Sequence, residues 1–167
     1  TEPWRMRPAL QVAPGEYNEE VLDGLDFLLA EMGKRDMVAI MCMNNFWPWS
    51  GGMAQYVSWQ DDSEIPYPPI CGEGDWQTYQ EYTASFYSNE NAVTDFFNHL
   101  RFTVLRENPY TGTLYRDDPT IMAWQLGNEP RGINNREDFT QWIENTAKYI
   151  KSIDSTFTNV FYYLFIW

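Results

Sequence analysis

Thr120-Ile121-Met122-Ala123-Trp124-Gln125-Leu126-Gly127-Asn128-Glu129-Pro130-Arg131 is the stretch on which the fold turns. Its apolar run shows neither the strict alternation of a half-buried strand nor the three-and-four spacing of an amphipathic helix. It reads as a strand buried on both faces, the kind that parallel sheets hold between helices. In such α/β folds the side chains at the carboxyl ends of strands build the site. Asn128 and Glu129 stand at that end, and Pro130 turns the chain away from it. A carboxyl leaving a buried strand would be partly desolvated, which favours the protonated form a general acid needs. The same Glu129 would also serve as a cap for the following loop or as a partner for Arg131, and the residues alone leave both readings open.

Working outward, Met37-Val38-Ala39-Ile40-Met41-Cys42-Met43 is a second apolar run without alternation. Before it, Val21, Leu22, Leu25, Leu28, Leu29 and Met32 recur at helical spacing from about Asn18 to Lys34, behind a capping Asn18 and two acidic residues. Further helices are expected over Trp76 to Tyr87, Asn91 to Arg106 and Arg136 to Ile153. Residues 44–75 break into Trp, Pro, Gly and Tyr and read as a long loop, too aromatic to be disordered. Each strand is reached through a helix, which selects parallel pairing. The chain is therefore α/β, with one domain and no internal repeat.

Composition excludes several classes. Among 167 residues, 24 acidic and 11 basic side chains give a net charge of −13, which argues against nucleic acid and anionic membrane surfaces. Aromatic residues reach 17%, a surplus that suits a neutral, hydroxyl-rich ligand. A single histidine, His99, and two cysteines supply no zinc site of the common kinds. Cys42 and Cys71 read as a buried thiol and a loop thiol that do not pair. Nucleotide-binding and serine-nucleophile motifs are absent, and so are an apolar run long enough to span a membrane and an N-terminal leader pattern.

The ordered motifs carry a resemblance. Trp124-Gln125-Leu126-Gly127-Asn128-Glu129-Pro130-Arg131 is similar to the fourth-strand signature of family 5 glycoside hydrolases, and more narrowly of their endo-β-1,4-mannanase branch. Asn45-Phe46-Trp47-Pro48-Trp49-Ser50-Gly51-Gly52, with Gln55-Tyr56 and Trp59, resembles that branch's third-strand loop. Arg106-Glu107-Asn108-Pro109-Tyr110-Thr111-Gly112, Tyr115 and Asp117-Asp118-Pro119 resemble the approach to the fourth strand, and Leu22-Asp23-Gly24-Leu25-Asp26 the helix before the third. The matches run in order over roughly residues 8–154.

The resemblance implies part of a (β/α)8 TIM barrel, roughly its third to fifth β/α units, incomplete. A whole barrel takes roughly 250 residues. It implies hydrolysis of internal β-1,4-mannosidic bonds in mannan, glucomannan or galactomannan by a retaining mechanism, with no cofactor or metal required and an extracellular location that follows from the polymer. Glu129 matches the acid/base carboxyl. Asn128 matches the amide on the sugar 2-hydroxyl, and Trp47 the aromatic of the cleft. Trp49, Tyr56 and Trp59 either extend that aromatic surface or pack the loop, and Arg131 reads as a structural ion-pair partner. Asp117 and Asp118 read as acceptors for backbone N–H groups before Pro119. The nucleophilic glutamate of the family lies on the seventh strand, outside this chain, so the chain alone is expected to be inactive. Residues 1–155 are then a partial catalytic barrel. Residues 156–167 depart from the family as an apolar tail of the sort that a truncated or frame-shifted reading would leave. A family 5 endo-β-1,4-glucanase is the alternative, and a non-catalytic glycan-binding module the competitor from another class; such modules are β-sandwiches.

Overall fold

The computed structural model describes residues 6–69 and 73–155. Cys71 and the apolar stretch 156–167 lie outside the described residues. A short antiparallel hairpin, β1 (Gln11–Ala13) and β2 (Glu16–Tyr17), leads into α1 (Glu19–Gly33). The Asn18 side chain caps this helix, accepting from the backbone N–H of Glu20 at 3.0 Å and of Val21 at 3.4 Å. Then follow β3 (Ala39–Cys42), α2 (Gly52–Asp61), α3 (Trp76–Ala84) and α4 (Glu90–Val104). The hairpin of β4 (Glu107–Asn108) and β5 (Thr113–Leu114), β6 (Ile121–Gln125) and α5 (Arg136–Ile153) complete the order.

β3 and β6 pair in parallel, with Met41 opposite Trp124 and Cys42 opposite Gln125, as helical crossovers require. Five α-helices among the described residues set aside the β-sandwich binding module. No helix of the described residues is long and apolar enough to cross a membrane.

Three expectations are corrected. Neither strand is buried on both faces: Ala39, Met41, Ile121 and Trp124 pack into the core, while Ile40 and Met122 are 47% and 46% exposed. Among the described residues this sheet holds only these two strands, and none covers the face that carries Ile40 and Met122. Residues 44–75 are not one irregular loop, because a 3-10 turn at Pro48–Ser50 and the whole of α2 lie inside it. Met53, Ala54, Tyr56 and Val57 bury that helix, and packing rather than aliphatic periodicity holds it. The helix from Trp76 ends at Ala84 and tightens into a 3-10 turn over Ser85–Ser88.

Aromatic rings fill the core. Tyr56, Phe86, Phe96 and Trp142 meet edge-on or tilted with centroids about 6 Å apart, the spacing ring quadrupoles favour. Much of the aromatic surplus is thus packing. The Tyr56 hydroxyl donates to Gln11 Oε1 at 2.7 Å, and Trp59 stands edge-on to Tyr56.

The turn Arg106 to Tyr115 is a structural latch. Asp26 of α1, fully buried, accepts from Arg106 Nε at 3.0 Å and Nη2 at 2.6 Å, and from the Tyr115 hydroxyl at 2.5 Å. Asn108 Nδ2 donates to the Asp26 carbonyl at 2.9 Å, and the Tyr110 hydroxyl to Asp23 at 2.8 Å. Burial and then the Asp26 bond push the Tyr115 phenol well up. Asp118 accepts from the Thr120 N–H at 2.8 Å at the entry to β6, the acceptor role expected for it. At the far side the Trp124 indole donates to buried Asp154 at 2.9 Å, tying β6 to the end of α5. The strand that leads to Glu129 is held from both directions.

Candidate active site

The pairing of β3 with β6 recurs three residues past the end of each strand as a parallel bridge between Asn45 and Asn128. The Asn128 N–H donates to the Asn44 carbonyl at 2.8 Å, and the Phe46 N–H to the Asn128 carbonyl at 3.1 Å. Two loop starts far apart in sequence are thereby fixed side by side. Asn128 Nδ2 donates to Asn45 Oδ1 at 3.2 Å, and the same oxygen accepts the Trp47 N–H at 3.0 Å. The amide of Asn45 donates to Ser50 Oγ at 2.9 Å, so one asparagine ties together the turn, Trp47 and Asn128.

Glycine is required behind this turn. Gly52 has φ +61°, and a Cβ there would stand 2.1 Å from the Asn45 carbonyl oxygen. The close approach lets the Met53 N–H, at the start of α2, donate to that carbonyl at 2.9 Å. The helix hidden in the aromatic loop thus anchors the asparagine that positions the site.

Glu129 has φ +46°, a left-handed backbone that costs a non-glycine residue roughly 1–2 kcal/mol. Strain of this kind concentrates where function needs an unusual direction. The carboxylate accepts the Trp47 indole N–H at Oε2, 2.7 Å away. Arg131 Nη2 lies 3.9 Å from the same oxygen, and the guanidinium carbon sits 4.8 Å above the Trp47 ring. The pairing with Arg131 read from sequence is present, and Glu129 reaches Trp47 as well. The Glu129 side chain is 46% exposed, so the carboxylate is half covered and not enclosed.

Trp49 stacks beside Trp47 with centroids 5.7 Å apart and planes 23° off parallel. Trp76 meets Trp47 edge-on at 5.7 Å and 78°. Trp49 and Trp76 are each 39% exposed, so indole surface faces solvent beside the carboxylate. Trp76 was legible only as a helix start. Its membership in this cluster follows from the packing of α3 against α2, and no periodic signal marks it. No cluster of three or more His, Cys, Asp or Glu side chains among the described residues is placed to hold a metal.

A strand-end carboxylate beside an amide and a bank of indoles, on a parallel α/β frame, is the arrangement of the barrel glycosidases. Within that class the chain belongs to glycoside hydrolase family 5, for the family model described as GH family 5 beta-mannosidase-like matches residues 1–158. It is 39% identical to the putative mannan endo-1,4-beta-mannosidase 5 of Oryza sativa subsp. japonica, over 90% of this chain and 28% of that protein. Identity to mannan endo-1,4-beta-mannosidase 5 of Solanum lycopersicum is 37%, over 88% of this chain and 33% of that one. The fold superposes on the glycoside hydrolase family 5 mannosidase from Rhizomucor miehei with a TM-score of 0.83 and 37% identity, covering 92% of this chain and 37% of that structure. The hyperthermostable endo-1,4-beta-D-mannanase from Thermotoga petrophila RKU-1 superposes with a TM-score of 0.69 and 27% identity, over 86% of this chain and 38% of that structure. Family 5 enzymes are (β/α)8 barrels. The chain spans about a third of the length of the relatives it matches.

Proposed function

We propose that this chain carries the acid/base half of an endo-β-1,4-mannanase active site, and that β3 and β6 are the third and fourth strands of its barrel. The observation that supports this reading most is Glu129, four residues past the end of β6, held beside Asn128 and Trp47 where the pairing of β3 with β6 recurs at Asn45 and Asn128. Glu129 gives its proton to the glycosidic oxygen as the bond to the anomeric carbon breaks, then takes a proton from the water that releases the sugar. Asn128 holds the sugar 2-hydroxyl, a bond that strengthens as the ring approaches the oxocarbenium-like transition state. Trp47 and Trp49 offer flat faces to the C–H side of a pyranose.

A retaining enzyme sets its second carboxylate about 5–5.5 Å from the first. The Glu129 side chain meets Trp47 and Arg131 among the described residues, and the nucleophile comes from chain outside this segment. The substrate is a mannan, glucomannan or galactomannan, and the location is extracellular because polymers of this size are met outside the cell.

The test is reducing-sugar release from galactomannan, glucomannan and carboxymethylcellulose. The parent reading frame is expected to cleave the two mannans, and the 167-residue chain alone to show little or no turnover. Robust turnover by the chain alone would overturn the placement of the nucleophile, and preference for carboxymethylcellulose would favour an endo-β-1,4-glucanase.

A further inference from the structure

Both partners of the Glu129 carboxylate meet the same oxygen. The indole N–H of Trp47 is 2.7 Å from Oε2, and Arg131 Nη2 is 3.9 Å from it. An indole N–H donates and never accepts, so this bond has one direction. At 2.7 Å it has the length of a charge-assisted hydrogen bond. When the carboxyl is protonated, its two oxygens differ: the carbonyl-like oxygen is the better acceptor, and the hydroxyl oxygen carries the proton. A fixed donor and a nearby guanidinium at Oε2 both favour that oxygen as the acceptor.

We propose that Trp47 is the positioning residue for the acid/base carboxyl: it occupies Oε2 and so leaves Oε1 as the oxygen that holds and delivers the proton. The proposal rests on the acid/base reading of Glu129. In the cleavage step the Oε1–H bond breaks and the proton passes to the glycosidic oxygen, which departs with the electron pair of the broken C–O bond as the nucleophilic carboxylate from outside this segment bonds the anomeric carbon. The negative charge left on the carboxylate is shared with Oε2, where the indole N–H and Arg131 already stand. In the second half the proton of the attacking water returns to Oε1.

The indole is held for this task by its own backbone and by its ring neighbours. Its own backbone N–H is bound to Asn45 Oδ1 at 3.0 Å. Phe46 and Trp76 meet it edge-on at 87° and 78°, Trp49 stacks on it, and the Arg131 guanidinium lies over its ring. Arg131 is a charged group set against both members of the pair. Trp47 and Glu129 are separated by 82 positions, so the contact exists only when β3 and β6 are paired.

The test is nitrogen-15 spectroscopy of the tryptophan indoles in the full 167-residue chain, from about pH 3 to about pH 8. Trp47→Phe identifies the signal, and the indoles of Trp49, Trp59, Trp76, Trp124 and Trp142 report on folding. The Trp47 signal is expected to move in a single step as Glu129 ionises, and to keep its hydrogen-bonded position and protection from solvent exchange on both sides of that step. In Glu129→Gln the step is lost completely while the signal stays dispersed. In Glu129→Asp, one methylene shorter, the signal lies at the solvent-exposed value throughout. Release of the indole at low pH would place the proton on Oε2 and overturn the proposal, as would a step of wild-type size in either variant. Because this experiment reads the contact and not turnover, its failure leaves the acid/base assignment to be judged separately by the cleavage assay.

Discussion

Arg106 grips Asp26 through two nitrogens, Nε at 3.0 Å and Nη2 at 2.6 Å, across 80 positions of sequence. The aspartate is fully buried and shares its carboxylate with Tyr115, so the pair joins α1 to the turn that leads into β6. Removing one member leaves a buried charge without its partner. Arg106→Ala is expected to destabilise the chain by about 3–5 kcal/mol, the usual cost of breaking such a pair. Urea denaturation checks the value, and Tyr115→Phe, which removes a single hydrogen bond to the same carboxylate, is expected to cost about 1.5–3 kcal/mol.

Gly52→Ala places a methyl group 2.1 Å from the Asn45 carbonyl oxygen at a φ of +61°. Backbone rather than a flexible side chain must give way. A loss of at least about 2 kcal/mol is expected from strain of this kind. Since Asn45 positions Trp47 and Asn128, the Trp47 indole signal is expected to shift as well. A thermal melt with the indole spectrum separates the two effects.

His99 makes stability depend on acidity. Burial lowers its pKa to about 4, and the Tyr17 hydroxyl sits 3.3 Å from Nδ1. The unfolded chain takes up a proton near the ordinary value of about 6.5, before the folded chain does. The stability linked to His99 is therefore fully present above about pH 6.5 and is lost as pH falls through 4, on the order of 3 kcal/mol in all. Denaturation midpoints between those limits are expected to fall more steeply in the native sequence than in His99→Leu.

Glu129→Ala in the parent enzyme removes the proposed proton donor. General acid–base assistance contributes about 10²–10⁴-fold, and kcat on a mannan is expected to fall by that factor. Initial rates of reducing-sugar release measure it.

Much of this architecture is legible in the amino-acid sequence where one periodicity dominates. Asn18 announces α1, and the spacing of Phe139, Trp142, Ile143, Thr146, Ile150 and Ile153 marks α5 to its ends. α2 escapes because it opens on two glycines of positive φ and is buried through Met53, Ala54, Tyr56 and Val57, with no repeating aliphatic stripe. The hairpins β1–β2 and β4–β5 are two or three residues per strand, too short for alternation to register. At the site, Glu129, Asn128 and Trp47 follow from strand ends and resemblance. Trp76 does not, since its place depends on how α3 packs. The exposure of Glu129 escapes for a related reason: burial of a strand says nothing about the residue after it once proline redirects the backbone.

The open face of β3 and β6 gives acidity a second consequence. Ile40 and Met122, with Met37 and Val38 just before the strand, offer apolar surface to water. What opposes association of such surfaces is repulsion between like-charged molecules, and the net charge of −13 supplies it at neutral pH. Acidification neutralises the carboxylates that carry this charge while leaving the apolar face unchanged. Self-association is therefore expected to grow as the charge is titrated away, and light scattering against pH would follow it.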